Sequence, residues 1–117
     1  MESFELATLV AERIKLGRPY LEFLRVPALS AGLYVLEASS IDQQKPHTED
    51  EVYYVVEGQG AIRVADEDGP VGPGTVVYVA AGVEHRFHSI TKDLKILVVF
   101  APMRGSRPSP VGKTKAR

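Results

Sequence analysis

The sequence predicts an all-β fold, a sandwich or barrel, preceded by one short helix. Three observations carry this. Short β-branched and aromatic runs recur at regular spacing from Tyr20 to Ala101, turns rich in glycine and proline separate them, and the one 3–4 apolar periodicity lies ahead of Gly17. A chain of 117 residues is long enough to close one core without a disulfide or a structural metal.

Ser3 is positioned to N-cap the helix, with Glu5 near the positive end of its dipole. Phe4, Leu6, Leu9, Val10, Arg13 and Ile14 follow the helical spacing, so a helix over about 3–16 is expected, packed on the outside of the core or on a partner subunit. After Gly17-Arg18-Pro19 the period changes. Strands are expected over Tyr20–Val26, Leu33–Ala38, Glu51–Val56, Gly60–Ala65, Thr75–Ala80, His85–Ile90 and Leu94–Ala101. Asp66-Glu67-Asp68-Gly69 reads as a hairpin turn in which the glycine supplies positive φ. The domain is thus expected over 1–101, with 102–117 a flexible, basic, proline-rich tail.

Composition excludes several classes. Cysteine is absent, which rules out thiolate metal sites, cysteine nucleophiles and disulfides, so any metal must be held by nitrogen and oxygen. No apolar run reaches the ~18 residues of a membrane span, and the acidic N-terminus does not read as a signal peptide. A soluble, cytoplasmic protein is expected. The net charge of −1 conceals +5 in the last sixteen residues and −6 in the rest. An acidic body argues against a nucleic-acid surface.

The chemistry concentrates in Pro46-His47-Thr48-Glu49-Asp50-Glu51 and in Gly82-Val83-Glu84-His85. On one straight strand, His47 and Glu51 would stand about 13 Å apart at ~3.3 Å per residue. Ligands meet an ion at ~2.0–2.2 Å, so a shared metal requires the chain to kink through Thr48-Glu49-Asp50. His85 is the best-placed third ligand, because a glycine turn delivers it to the start of a strand. His88, three residues on, faces the other side.

These two segments resemble the paired motifs of the cupins, small double-stranded β-helix (jelly-roll) barrels. In the first motif His47 matches the second histidine, Glu51 the glutamate and Gly58 the glycine; in the second, Gly74, Gly82 and His85 match. The first histidine of the family's His-x-His pair is Lys45 here, the proline of the second motif is Ala80, and its final asparagine is Ser89. The resemblance implies a divalent metal (Fe, Mn, Ni or Zn) held by His47, Glu51 and His85, a two-His-one-carboxylate set with open positions. Glu49 is a candidate fourth ligand or catalytic base, and Gln43 or Gln44 could serve through an amide oxygen. Tyr53 and Phe87 share parity with Glu51 and His85, which places each either at the lining of the barrel mouth or in the ordinary barrel core; Lys45 is expected over the site or on the surface.

Cupins with such a metal set include dioxygenases, isomerases and lyases acting on small oxygen-bearing molecules, with a dioxygenase the leading class. The alternative is a non-catalytic small-molecule binding or sensing module, and a third is a purely structural or storage barrel with no metal. Strands apolar on both faces, such as Leu97-Val98-Val99-Phe100, point to a partner or the helix on the outside, and a homodimer is expected. Expected partners are a small-molecule ligand and a second copy of the chain, with neither nucleic acid nor membrane.

Overall fold

A computed structural model of the protein describes residues 1–106. Helix α1 spans Leu6–Leu16 and stops at Gly17, whose φ of 75° lets its N–H reach the carbonyls of Arg13 and Ile14. Its N-cap position falls on Glu5, which makes no side-chain capping bond. Ser3 therefore lies outside the helix, which begins later than the sequence pattern suggests.

Six strands follow: β1 Tyr20–Val26, β2 Leu29–Leu36, β3 Asp50–Val64, β4 Glu67–Val71, β5 Val76–Val79 and β6 His85–Ala101. All pairings are antiparallel, in the order β1-β2-β6-β3-β4, with β5 also on β3. The two central strands are longer than expected. Each joins two runs that the sequence pattern separates, because Gly58-Gln59-Gly60 is a bulged bend inside β3 rather than a turn between strands. Gly58 has φ 106°, and a Cβ there would collide with the backbone carbonyl of Asp93 on β6. The turn after β3 is also shifted. Val64 pairs with Glu67 around Ala65-Asp66, Ala65 carries the positive φ, and Gly69 lies within β4 opposite Ile62.

The bends fold the sheet on itself. The first half of β3 lies between β5 and the second half of β6; its second half lies between β4 and the first half of β6. Inside sits the main core, including Tyr53, Val55, Phe87, Leu94, Ile96 and Val98. Leu9 of α1 closes a second, smaller cluster with Leu33 and Val35 on the outer face of β2, against Leu97. The helix thus covers one part of the outer face, as its apolar stripe requires.

Past β6, Met103 N–H donates to Pro27 O at 3.4 Å and Arg104 N–H to Ser30 Oγ at 2.9 Å. Residues 107–117, which hold most of the expected tail, lie outside the described residues. Among the described residues no helix is long and apolar enough to cross a membrane.

Candidate metal centre

Two hydrogen bonds bring the distant segments together. Gly82 N–H donates to His47 O at 2.7 Å, and Ala81 N–H donates to Asp50 Oδ1 at 2.8 Å. Gly82 reaches this bond at φ 78°, a conformation open to glycine without strain. The chain bends at Thr48 and Glu49 and enters β3 at Asp50, which is the kink a shared ion demands.

His47, Glu51 and His85 then converge, their ligand atoms all within 4.8 Å of one another. His85 Nε2 lies 3.2 Å from Glu51 Oε2, and His47 Nε2 lies 3.9 Å from the same oxygen. Donors at ~2.1 Å from one ion, set at tetrahedral or octahedral angles, stand roughly 3.0–3.4 Å apart, so the closer pair has the spacing of neighbouring ligands.

The donor set fits a cation on a second ground. His85 Nδ1 lies 2.8 Å from Val83 O, where it donates its proton and leaves Nε2 as a bare lone pair. That Nε2 and Glu51 Oε1 are both buried without a hydrogen-bond partner. A lone pair beside a desolvated carboxylate is stabilised by a shared positive charge or by a proton. The cluster could therefore hold a divalent metal ion. Burial raises the Glu51 carboxyl above its ordinary range, opposed by the Tyr53 hydroxyl and by His85 and Arg104. Burial, followed by the charges of Arg104 and His85, lowers His47 to about 4, so its imidazole is neutral and available as a ligand at neutral pH.

The other predicted residues divide. Glu49 faces inward and is 1% exposed, hydrogen-bonded to the Thr48 hydroxyl, and it is not part of the three-residue cluster. Tyr53 and Lys45 line a cavity of about 440 Å³ beside His47, together with Tyr20, Tyr34, Phe100 and Arg104. Phe87 stands behind Tyr53 in the core, fully buried, with ring centroids 5.0 Å apart, so it supports the wall rather than lining it. His88 points away and meets Asp68 at 2.7 Å.

Sequence reasoning missed Asp42, Tyr34 and Arg104. Asp42 is 3% exposed and accepts from Tyr34 OH, Gln44 N, Gln44 Nε2 and Phe87 N, the longest of these being 3.2 Å. It thereby pins the segment before His47. Its grip on Gln44 Nε2 turns the amide oxygen toward His47 Nε2 at 3.1 Å and Tyr53 OH at 3.2 Å. An acid in an unpatterned Ser-Ile-Asp-Gln-Gln stretch gives no local sign of this. The sequence pattern puts Arg104 in the tail, yet its guanidinium lies over the Tyr20 and Phe100 rings at 5.1 and 5.6 Å.

Comparison with known proteins bears on the family and the fold. The family described as "Cupin domain" matches residues 32–100. The uncharacterized protein SCO3923 of Streptomyces coelicolor is 53% identical over 102 residues, covering 87% of this chain and 97% of that one. Among solved structures, TT1209 from Thermus thermophilus superposes with a TM-score of 0.70 at 25% identity, covering 88% and 99% of the two chains. The DMSP lyase DddQ from Ruegeria pomeroyi superposes with a TM-score of 0.65 at 16% identity over 81% of this chain and 51% of that one, a likeness of fold alone.

Proposed function

The chain belongs to the cupin family and has its jelly-roll, double-stranded β-helix fold, and from that premise we propose that it is a metal-dependent enzyme acting on a small oxygen-bearing molecule. The observation that carries the reading is the buried, unpartnered Nε2 of His85 facing Glu51. His47, Glu51 and His85 hold the ion, and Gln44, oriented by Asp42, is the candidate fourth donor in place of the histidine that Lys45 replaces. A bound divalent ion of the Fe, Mn, Ni or Zn class supplies a Lewis acid with open positions. Two histidines and one carboxylate make a dioxygenase the leading class, with isomerase and lyase chemistry open to the same set.

The chain's own residues do the rest. Tyr20, Tyr34 and Tyr53 are kept neutral by burial, and Tyr34, Tyr53 and Phe100 give the cavity an aromatic wall. Glu49, inward and one alternation from Glu51, is the candidate base. The second copy expected of a homodimer would cover the outer face of β5, β3 and β6. There Tyr78, Val52 and Val99 form one cross-strand row beside Val76 and Tyr54, all exposed by 37% or more.

Metal analysis of untagged protein tests the core of this. About one ion per chain, and a melting temperature that rises with added metal, are expected. Well under one ion and no rise would end the metal reading. Oxygen uptake over small phenolic, thiol and keto-acid compounds, lost in His85→Ala, supports an enzyme; binding without turnover supports a non-catalytic module.

A further inference from the structure

The cavity beside the metal cluster is lined by two cations, Arg104 and Lys45, that stand outside every ion pair of the described residues. This is notable because acids outnumber cations in residues 1–106, whose net charge is −5 (−6 for residues 1–101 plus Arg104). Arg104 is also held in place. Its backbone N–H is bonded to Ser30 Oγ at 2.9 Å, and Ser30 is fully buried on β2. Its guanidinium then rests against two rings of the cavity wall. The side-chain N–H groups of Arg104 have no acceptor among the described residues, so they are available for a planar anion.

The same wall reaches the metal cluster. Phe100 contacts the Arg104 guanidinium at 5.6 Å and the His47 ring at 5.0 Å, nearly perpendicular to the latter. Cation and metal ligand therefore stand within the length of one small organic molecule. Between them the lining is aromatic and aliphatic, from Tyr20, Tyr34, Val98 and Phe100. Tyr20 packs over Gly32, where no side chain could fit beneath the ring, and its hydroxyl is buried without a partner.

We propose that this cavity is a carboxylate receptor: Arg104, assisted by Lys45, binds the carboxylate of a small molecule with a flat or apolar body, directing its other end at His47, the residue of the metal cluster that lines the cavity. This names the substrate class of the site proposed above and rests on that reading only for what the far end meets. Arg104 supplies the paired donors that match a carboxylate, and Lys45 adds a point charge.

The probes are benzoate and its neutral counterpart benzamide, titrated calorimetrically into chelator-treated protein and into protein loaded with zinc. Benzoate is expected to bind at least tenfold tighter than benzamide. Arg104→Gln should remove that preference, Arg104→Lys should keep part of it, and Lys45→Gln should weaken benzoate by two- to threefold. Equal binding of the two probes, or a preference that survives Arg104→Gln in a variant that melts like the wild type, overturns the proposal. A preference present in protein that takes up no metal sustains the receptor and removes the metal reading. Metal uptake with no preference does the reverse.

Discussion

Along the first half of β3 both faces depart in part from the usual division of a water-facing sheet. Glu51, Tyr53 and Val55 point inward and are at most 1% exposed, with Glu49 continuing the row just ahead of the strand, whereas Val52 and Tyr54 point outward at 39% and 44%. A sheet that only needed a core would place carboxylates outside and valines inside. Here two carboxyl groups accept the cost of desolvation, and the outer face leaves apolar surface in water. The inner row makes sense if a cation or ligand completes it, and the outer row makes sense if another surface covers it. The contrast with β2 sharpens the point, since the outer side of Leu33 and Val35 is already covered by Leu9 of α1.

The inner row should break most completely. Glu51→Gln and His85→Ala are each expected to lower metal affinity by at least a hundredfold, measured by competition with a chelator, since one of three ligands is lost. Glu51→Gln has a further signature. Burial raises the folded-state pKa of Glu51, so its ionisation works against the metal-free fold as pH rises through that value. Metal-free wild type should therefore lose stability toward alkaline pH relative to Glu51→Gln, and the gap should close near pH 4.5. Metal-free curves that run parallel would show that Glu51 is not desolvated.

The outer row predicts a smaller, concentration-dependent effect. Tyr54→Lys with Tyr78→Lys, placed on the exposed apolar face, should shift a homodimer to monomer at micromolar concentration by analytical ultracentrifugation, through charge burial at the contact. Thermal unfolding of the separated monomer should change little, because both side chains already face solvent. A wild type that is monomeric at tens of micromolar would leave the outer row without a partner of its own kind.

The inward row was largely legible from the chain. Periodicity of two gave the parity of Glu51 and Tyr53, and motif spacing gave His85 and Gly82. What failed depended on sheet curvature or on long-range bonds. Gly58 and Gly60 look like turn residues, but they bend a continuous strand because the approaching Asp93 carbonyl leaves no room for a Cβ at Gly58. Phe87 has the right parity, yet depth in the barrel puts Tyr53 in front of it. Asp42 acts through partners as far as Phe87, and Arg104 through a hydroxyl on β2. No local pattern encodes contacts of that kind.

His47 ties the inner row to pH in the opposite sense. Its folded value near 4 lies below the ordinary 6.5 because the ring is desolvated and faces Arg104 and His85. The unfolded chain takes up that proton first, so stability should fall as pH drops from about 6.5 toward 4. The effect is limited by a side chain that retains 14% exposure. His47→Gln should flatten this acid limb in urea titrations of metal-free protein.

The smallest expected effect probes the bend that sets inward and outward parity in both halves of β6. Ser89 sits there at φ 51°, in the left-handed region where asparagine and glycine are at ease and most side chains are strained. The motif's asparagine belongs at this position, and serine is a tolerable substitute because its side chain is short and reaches His88 Nδ1 at 3.0 Å. Ser89→Gly should stabilise by about 0.5 kcal/mol through relief of that strain, partly offset by the lost exposed hydrogen bond and by a more flexible unfolded chain. Ser89→Val should destabilise by about 1 kcal/mol or more, because a β-branched side chain at positive φ meets its own backbone. If both variants melted like the wild type, the bend would be held by the β3–β6 pairing alone, and the parity of the inner row would owe nothing to the conformation of this residue.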